Sequence, residues 1–352
     1  MVRGRALAAA ASIVLLSCTW LIGLPDLPDA GMAADGGSEA TPCRLNIPPV
    51  TGTSAANDPV SLTAAVSQWH VGQSDGGPYY GFNLDNTCTC PAPSSCQRDG
   101  APACDDPGGV DDSALQVFAA INNVLSDGGV ITEASFNASV ASGSTGFLVV
   151  VGGYNGLPDD SQVSVTLYAS RGTASSAPPK LDGTDVWTID PASASGTFTT
   201  STGYVANNEL VATGLALQII VGTALGPVTI PLDEAVLTAT IQMNGTSLKQ
   251  VTNGMIGGRL DPAKFLPSLQ NVPDAIFDAG YLCGSGDVTY QVIKQRLCSG
   301  TDIATSGAGD GKGACQSVSF GIGFEAVPAN KGATKAGFDA GFPCGTSWSD
   351  HC

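Results

Sequence analysis

Two loops in the first third of the chain carry side-chain oxygens of the kind that bind hard cations. The six residues are Asn83, Asp85, Asp105, Asp106, Asp111 and Asp112. Calcium takes about six to eight oxygen ligands, commonly from flexible loops, and neighbouring cysteines would fix both loops. The spacing is not that of an EF-hand, and the competing hypothesis is that Asp111 and Asp112 only cap the following helix. The sequence therefore predicts a calcium site, with helix capping as the alternative.

A second group has the chemistry of saccharide recognition, in which an exposed ring stacks on the sugar and polar groups bind its hydroxyls. The residues are Tyr154, Asn155, Asp159, Asp160, Asp182, Asp185 and Trp187. The first four stand in a turn, and the other three are expected close to it. The competing hypothesis is an ordinary β-turn with the tryptophan in the core.

Motifs for catalysis are scarce. The chain has two histidines, His70 and His351, and its sequence has no G-x-S-x-G, H-E-x-x-H, P-loop or dinucleotide-binding pattern. We therefore assign no catalytic residue. The alternative is a secreted hydrolase that uses two carboxylates on a polysaccharide, because many aspartates are available for such a pair.

Outside the leader, ten cysteines form two groups of five, with a long cysteine-free stretch between the groups. They are Cys43, Cys88, Cys90, Cys96 and Cys104, followed by Cys283, Cys298, Cys315, Cys344 and Cys352. Five is an odd number, so complete pairing requires at least one disulfide between the groups. Such a framework is typical of exported proteins in an oxidising compartment. The pairing itself stays open, except that Cys88 and Cys90 are too close to pair with each other.

The N-terminus has the pattern of an export signal, since Arg3 and Arg5 precede an apolar, uncharged segment. We divide the chain into a leader (1–24), a flexible tether (25–42) and one disulfide-linked β-rich domain (43–352), with loop-rich flanks at 43–110 and 328–352. Segment 15–18 resembles a lipobox, which would place a lipid on Cys18 and anchor the protein in the outer membrane. Ordinary secretion after cleavage near residue 33 and an uncleaved anchor are the alternatives.

The net charge of the chain narrows the classes of molecule that it is expected to bind. The chain carries 31 acidic and 14 basic residues, a net charge of −17. Phosphate neutralisation needs the opposite balance, so nucleic acid is not an expected partner. A glycan or another envelope component is expected instead, with membrane contact through the lipid only. The oligomeric state is not indicated.

The elements that position these residues are mainly strands. The 45 glycines and 22 prolines, with segments of period two, predict an antiparallel β-sandwich-like domain with a few helices. We predict strands at 146–152, 162–170, 184–189, 203–213, 216–221, 228–232, 235–243 and 317–327. We predict helices at 111–126, 132–141, 261–269 and 288–298 and one apolar element at 60–69. The irregular segment 43–104 is expected to lie over the central domain.

Four segments resemble uncharacterised exported proteins of myxobacteria, many of which look like lipoproteins. These segments are DDPGGVDD (105–112), GYNGLPDDSQVSVTLYAS (153–170), DGTDVW (182–187) and ACQSVSFGIGFEAVPA (314–329). The resemblance implies export and a shared fold, and it implies no activity. The chain departs from that pattern after Asp85, where NTCTC replaces a glycine-rich acidic loop, and this departure argues against an ion site that uses the loop.

Overall fold

The chain folds around a closed antiparallel sheet. The computed structural model describes residues 47–52, 58–72, 78–90, 93–98, 104–125, 131–195, 198–223, 226–274, 280–284, 286–335, 344 and 349–352, all of them in one compact unit. The predicted leader, the tether, Cys18 and Cys43 lie outside the described residues. Within the described part of the chain, no helix is both long enough and apolar enough to span a bilayer.

Ten strands and four α-helices form the described part. The strands are β1 Val60–His70, β2 Gly146–Tyr154, β3 Asp160–Ser170, β4 Val186–Ile189, β5 Thr199–Ala206, β6 Glu209–Thr223, β7 Gly226–Asn244, β8 Ser247–Leu260, β9 Val318–Pro328 and β10 Asn330–Thr334. The helices are α1 Ser113–Leu125, α2 Glu133–Ser142, α3 Pro262–Phe265 and α4 Val288–Ser299, with 3-10 turns at Ser193–Ser195 and Leu266–Asn271.

The strand order β1-β2-β3-β5-β6-β7-β8-β9 closes because β9 pairs with β1 as well as with β8. The predicted antiparallel, mainly β fold is confirmed, and the sheet has no free edge among these eight strands. Alternation explains why they form: in β3, Val163, Val165 and Leu167 are buried in one large apolar cluster, while their neighbours in sequence are more exposed. Burial of such side chains is the main stabilising term for the sheet.

Two boundaries differ from the prediction because of local backbone geometry. Segment 203–213 is a hairpin and not one strand, since Asn207 and Asn208 take φ of 52° and 67° and connect β5 to β6. Asparagine tolerates this left-handed region better than most residues. The reverse holds for 228–243, which is one strand, β7. It continues through Glu234, whose φ of 46° accompanies a register shift between Asp233 and Val236.

Both flanks contribute strands, which the sequence did not predict. The apolar element 60–69 is β1, and it lies in the closed sheet between β2 and β9. In the C-terminal flank, predicted to be loop, β10 pairs in parallel with β4 outside the closed sheet. The first flank therefore supplies part of the structure over which it was expected to lie.

Four disulfides are described, and the predicted link between the two cysteine groups is confirmed. They are Cys90–Cys104, Cys96–Cys315, Cys283–Cys344 and Cys298–Cys352. Cys88 is also disulfide-bonded and is not bonded to Cys90. Cys96–Cys315 joins the groups across 219 residues. None of these eight cysteines lies in a strand, so the described disulfides link loops and the end of α4 and not the strands themselves.

The described residues of 78–112 and 302–317 form a layer, here called the loop layer, against β8 and β9. Its two halves are joined by Cys96–Cys315 and by hydrogen bonds in which Gln97 N–H donates to Gly313 O (2.7 Å) and Cys315 N–H donates to Gln97 O (2.9 Å). Close contact with the sheet needs glycine: a Cβ on Gly321 would lie 1.9 Å from the Tyr80 carbonyl oxygen. Glycines in β9 therefore make room for the loop layer.

One buried cation fastens both halves of the loop layer to β8. The Arg259 guanidinium, 2% exposed, donates to the carbonyl oxygens of Leu84 and Gly307 at 2.7 Å each and also to that of Ala304. Its Nε lies 3.1 Å from a carboxylate oxygen of Glu234. Arginine suits this role because it has five N–H donors in a fixed plane.

Candidate functional site

The loop layer contains all six residues of the predicted calcium site. Their carboxylate oxygens, however, accept hydrogen bonds from the protein itself. Asp111 Oδ2 accepts from Leu84 N–H (2.6 Å), and Asp105 Oδ2 accepts from Thr89 N–H (2.8 Å). Asp85 accepts from Thr87 N–H (2.8 Å) and from the Ser95 hydroxyl. The acids therefore hold the loops together.

Helix capping, the competing hypothesis, accounts for Asp112. Its carboxylate accepts from the backbone N–H of Leu115, in the first turn of α1, and from Gly321 N–H in β9 at 3.0 Å. One carboxylate thus ties the helix start to the closed sheet. Asp106 contributes backbone contacts, with its N–H donating to Val110 O at 2.9 Å.

Burial among other acids strongly favours the protonated forms of these carboxyls. Burial, reinforced by the charges of Asp85 and Asp105, raises the pKa of Asp111 to about 9. Burial is also the main cause that raises the pKa of Asp105 and of Asp302 to about 6 each. Asp302 was absent from the predicted set, because it comes from the distant second half of the loop layer. A protonated Asp111 hydrogen-bonded to Asp105 is the arrangement that this electrostatic environment favours.

The described residues do not form the predicted calcium site. No group of three or more His, Cys, Asp or Glu side chains in the described ranges is placed to hold a metal ion. Backbone N–H groups or hydroxyls already donate to the carboxylates of four of these acids, which are Asp85, Asp105, Asp111 and Asp112. Asn83 is the exception: it is 1% exposed, and neither atom of its amide has a hydrogen-bond partner among the described residues.

Burial of both aromatic rings contradicts the predicted saccharide site, since neither ring is available for stacking on a sugar. Tyr154 and Trp187 are both 0% exposed. The Tyr154 hydroxyl donates to Leu157 O (2.6 Å), and the Trp187 ring lies where a Cβ on Gly146 would be only 2.5 Å away. Both are core residues, as the competing hypothesis stated.

The two halves of the predicted saccharide site are also far apart. Trp187 packs beside Gly146 at the start of β2, and Tyr154 ends the same strand. Eight residues of strand separate them by roughly 26 Å at about 3.3 Å per residue. The expectation that Trp187 lies near the turn is therefore wrong.

The polar residues of the predicted saccharide site stabilise turns. Asn155 N–H donates to Asp160 Oδ2 (2.8 Å), and the Asn155 amide donates to Asp159 O (2.9 Å). Asp185 accepts from the N–H groups of Lys180 and Leu181. The remaining two acids do similar work: Asp159 accepts from Thr51 and Asn207, and Asp182 accepts from Thr184.

A polar groove that the sequence did not indicate lies beside the link between the cysteine groups. One hollow of about 310 Å³ is lined by Gln97, Arg98, Gln295, Cys298, Ser299, Thr301, Ala314 and Cys315. A second hollow of about 140 Å³ is lined by Arg98, Ser113, Gln116, Val117, Ala120, Arg296, Ser299 and Gly300. Arg98 and Ser299 belong to both, and we call the two hollows together the Arg98 groove.

The Arg98 groove is fixed by covalent links. Cys315 and Cys298 line it, and each is in a disulfide, with Cys96 and with Cys352 respectively. Arg98 follows Cys96 by two residues, and Arg296 precedes Cys298 by two. Basic residues two positions from cysteines, in a chain with 14 basic residues against 31 acidic ones, are a sequence signal that could have pointed to this groove and was not used.

Comparison of the chain with protein-family models, with curated proteins and with solved structures gave no match in any of the three. The resemblance to exported myxobacterial proteins therefore stays a prediction. Functional inference rests on the geometry of the site alone.

Proposed function

We propose that this chain is an exported protein of the cell envelope, anchored by a lipid on Cys18, and that it binds a polar ligand outside the cytoplasm. The observation that carries the proposal is the Arg98 groove, a polar hollow whose walls are set by Cys96–Cys315 and Cys298–Cys352. Disulfides of this kind form and persist in oxidising compartments. A groove of about 310 Å³ is within the size range of small-molecule sites.

Binding is better supported than hydrolysis. A glycosidase needs two carboxyl groups about 5 to 10 Å apart across a cleft. The described residues that line the Arg98 groove include no Asp or Glu. The closely placed acids Asp105 and Asp111 hydrogen-bond to each other and to backbone groups, so they are engaged within the loop layer. The described lining of the Arg98 groove therefore lacks the carboxyl pair that a glycosidase needs.

Export and anchoring are tested in a bacterial host with the full-length chain. We expect the protein in the membrane fraction, with incorporation of labelled fatty acid that is lost in Cys18→Ser. Ala11→Ser, inside the same leader, is the matched control and should leave labelling unchanged. Protein that stays in the cytoplasm with reduced cysteines would contradict export. Unlabelled protein in the medium would contradict only the lipid anchor.

Ligand binding is tested with the chain from residue 25 onward, exported and oxidised in the host periplasm and purified. An array of envelope glycans and small polar compounds, followed by calorimetry, should give at least one ligand. The same protein with Cys96–Cys315 and Cys298–Cys352 reduced should bind it more weakly, because the groove walls separate. A folded, oxidised protein that binds nothing on the array would contradict the proposed function.

A further inference from the structure

We propose that the Arg98 groove recognises an acidic saccharide, with the Arg98 guanidinium binding its carboxylate or sulfate group. This inference rests on the proposed binding function and adds the ligand class and the residue that selects it. It also moves saccharide recognition away from the turn at Asn155, where both candidate rings are buried.

One edge of the Arg98 guanidinium is hydrogen-bonded within the protein, and that contact leaves the other edge unused. Nε and Nη2 donate to the Ser299 carbonyl oxygen, with Nε at 3.1 Å. A guanidinium has five N–H groups, so the N–H groups of Nη1 and the second one of Nη2 are not used by this contact. Those groups form the parallel fork that matches the two oxygens of a carboxylate or sulfate. A fork that is already oriented loses less entropy on binding than a free side chain.

The segment that carries Arg98 is linked to its neighbours by a disulfide and by backbone hydrogen bonds. It is bounded on one side by the Cys96–Cys315 disulfide and by the two backbone hydrogen bonds between Gln97 and the 313–315 segment. Ser299, which orients the guanidinium, ends α4, and the preceding Cys298 is bonded to Cys352. Both sides of the Arg98–Ser299 contact are thus fixed covalently, which holds the fork in place before a ligand arrives.

Local charge in the Arg98 groove is opposite to that of the whole chain. The chain has a net charge of −17, yet the described lining of the groove contains Arg98 and Arg296 and no Asp or Glu. None of the ion pairs found between described residues includes either arginine. The Arg98 charge acts on Asp302 and opposes the rise of its pKa, but Asp302 is buried and its carboxylate accepts hydrogen bonds from Ser319. The described lining of the groove is therefore cationic, in contrast to the chain as a whole.

The remaining lining fits hydroxyl groups. Amides of Gln97, Gln295 and Gln116 and the hydroxyl of Thr301 line the two hollows. Amides and hydroxyls both donate and accept hydrogen bonds, which is what sugar hydroxyls require. An oxyanion beside several hydroxyls describes a uronic acid or a sulfated sugar better than it describes a free inorganic anion.

The test is calorimetry of the purified, oxidised protein with three probes: trigalacturonic acid, a sulfated galactose trimer and neutral galactotriose. We expect the two acidic trimers to bind at least about tenfold more tightly than the neutral one. Arg98→Gln should weaken the acidic trimers by about 10- to 100-fold, the usual effect of losing hydrogen bonds to a charged group, and leave the neutral trimer unchanged. Lys249→Gln, an exposed cation on β8, removes the same charge and should change nothing. The acidic trimer that binds more tightly, carboxylated or sulfated, identifies which oxyanion the groove prefers.

Folding is checked in each variant by melting temperature and by peptide mapping of Cys96–Cys315. Arg98→Lys keeps the charge and loses the fork, so it should fall between the parent and Arg98→Gln. Equal affinity for acidic and neutral trimers, or an Arg98→Gln variant that is folded and binds as tightly as the parent, overturns the inference. If neutral glycans on the array bind independently of Arg98, the proposed binding function holds and the acidic-saccharide inference is wrong. If no probe binds, the proposed function and the inference are both contradicted.

Discussion

The closed sheet and the loop layer are held together by different chemistry. In the sheet, strands such as β3 and β6 bury aliphatic side chains in one large cluster and pair along their length. In the loop layer, a buried arginine, buried carboxyls and two disulfides, Cys90–Cys104 and Cys96–Cys315, connect irregular segments. The sheet therefore has a core of its own, and the loop layer depends on specific polar and covalent links. The proposed Arg98 groove lies where the loop layer meets helices α1 and α4.

The largest effect should come from a cavity in the closed sheet. Leu167, 1% exposed in β3, loses most of its side chain in Leu167→Ala, and we expect a loss of about 2–5 kcal/mol in the free energy of unfolding. Val288→Ala is the matched control, because Val288 is 64% exposed. Urea denaturation followed by tryptophan fluorescence measures both. A Leu167→Ala protein as stable as the control would mean that the sheet does not support the fold.

Removal of the disulfide between the cysteine groups should have the second-largest effect on stability, and the effect should be confined to the loop layer. We expect Cys96→Ser with Cys315→Ser to lower stability by about 2–4 kcal/mol and to increase hydrogen exchange in the loop layer while the strands stay protected. Cys90→Ser with Cys104→Ser removes a disulfide that closes a loop of 14 residues, against 219 for Cys96–Cys315. In the loop-entropy model its cost is about 2 kcal/mol smaller. Loss of protection in β6 or β7 would show that the two regions are not separable in this way.

Acidity should stabilise the loop layer. Asp111 has a folded pKa of about 9 against an ordinary value of 3.8, so between these values the folded state holds a proton that the unfolded state releases. Stability should fall as pH rises from about 5 towards 9, because the folded state favours the protonated carboxyl and the unfolded state does not. Asp105 and Asp302 act in the same direction as pH rises to about 6.

Asp111→Asn should remove the part of this slope that comes from Asp111, because an amide cannot ionise and its oxygen still accepts from Leu84 N–H. Burial also raises the pKa of Asp112 well above its ordinary value, so the contribution of Asp112 should remain. Melting temperature measured from about pH 5 to 9 tests it. Asp310→Asn is the control in the same layer: hydrogen bonds from Lys312 and Gly313 lower the Asp310 pKa, so its stabilising effect is lost only in acid. An Asp111→Asn protein with the parent's slope would mean that Asp111 is ionised in the fold.

The two regions also differ in how far the sequence predicts them. Alternation in β3 depends on neighbouring residues, and the strand at 162–170 was predicted correctly. The predicted helices at 132–141 and 261–269 begin at Thr132 and Asp261, the N-caps of α2 and α3, and this signal is equally local.

The loop layer and the groove depend on contacts between distant segments. The number of cysteines required a link between the groups but could not select Cys96–Cys315. No spacing rule places Arg98 against Ser299, 201 residues away, or Asp302 beside Asp111. Tyr154 and Trp187 were misplaced because a side chain's exposure depends on what packs against it, here a turn carbonyl and the glycine at the start of β2.

The smallest effect should be that of calcium, and it decides what the acids of the loop layer do. Their oxygens accept from backbone N–H groups and hydroxyls, and no described group of three acids is placed for a metal. We therefore expect the melting temperature to move by less than about 1 °C between a chelator and millimolar calcium, since a ligand stabilises only in proportion to its affinity for the folded state.

Asn83→Asp adds a carboxylate where an amide has no described partner, and it should create calcium dependence if the loops can rearrange around an ion. A clear calcium shift in the parent protein that disappears in Asp111→Asn would instead show that the carboxyls exchange their internal hydrogen bonds for a cation, and the loop layer would then be held by charge and not by protonation.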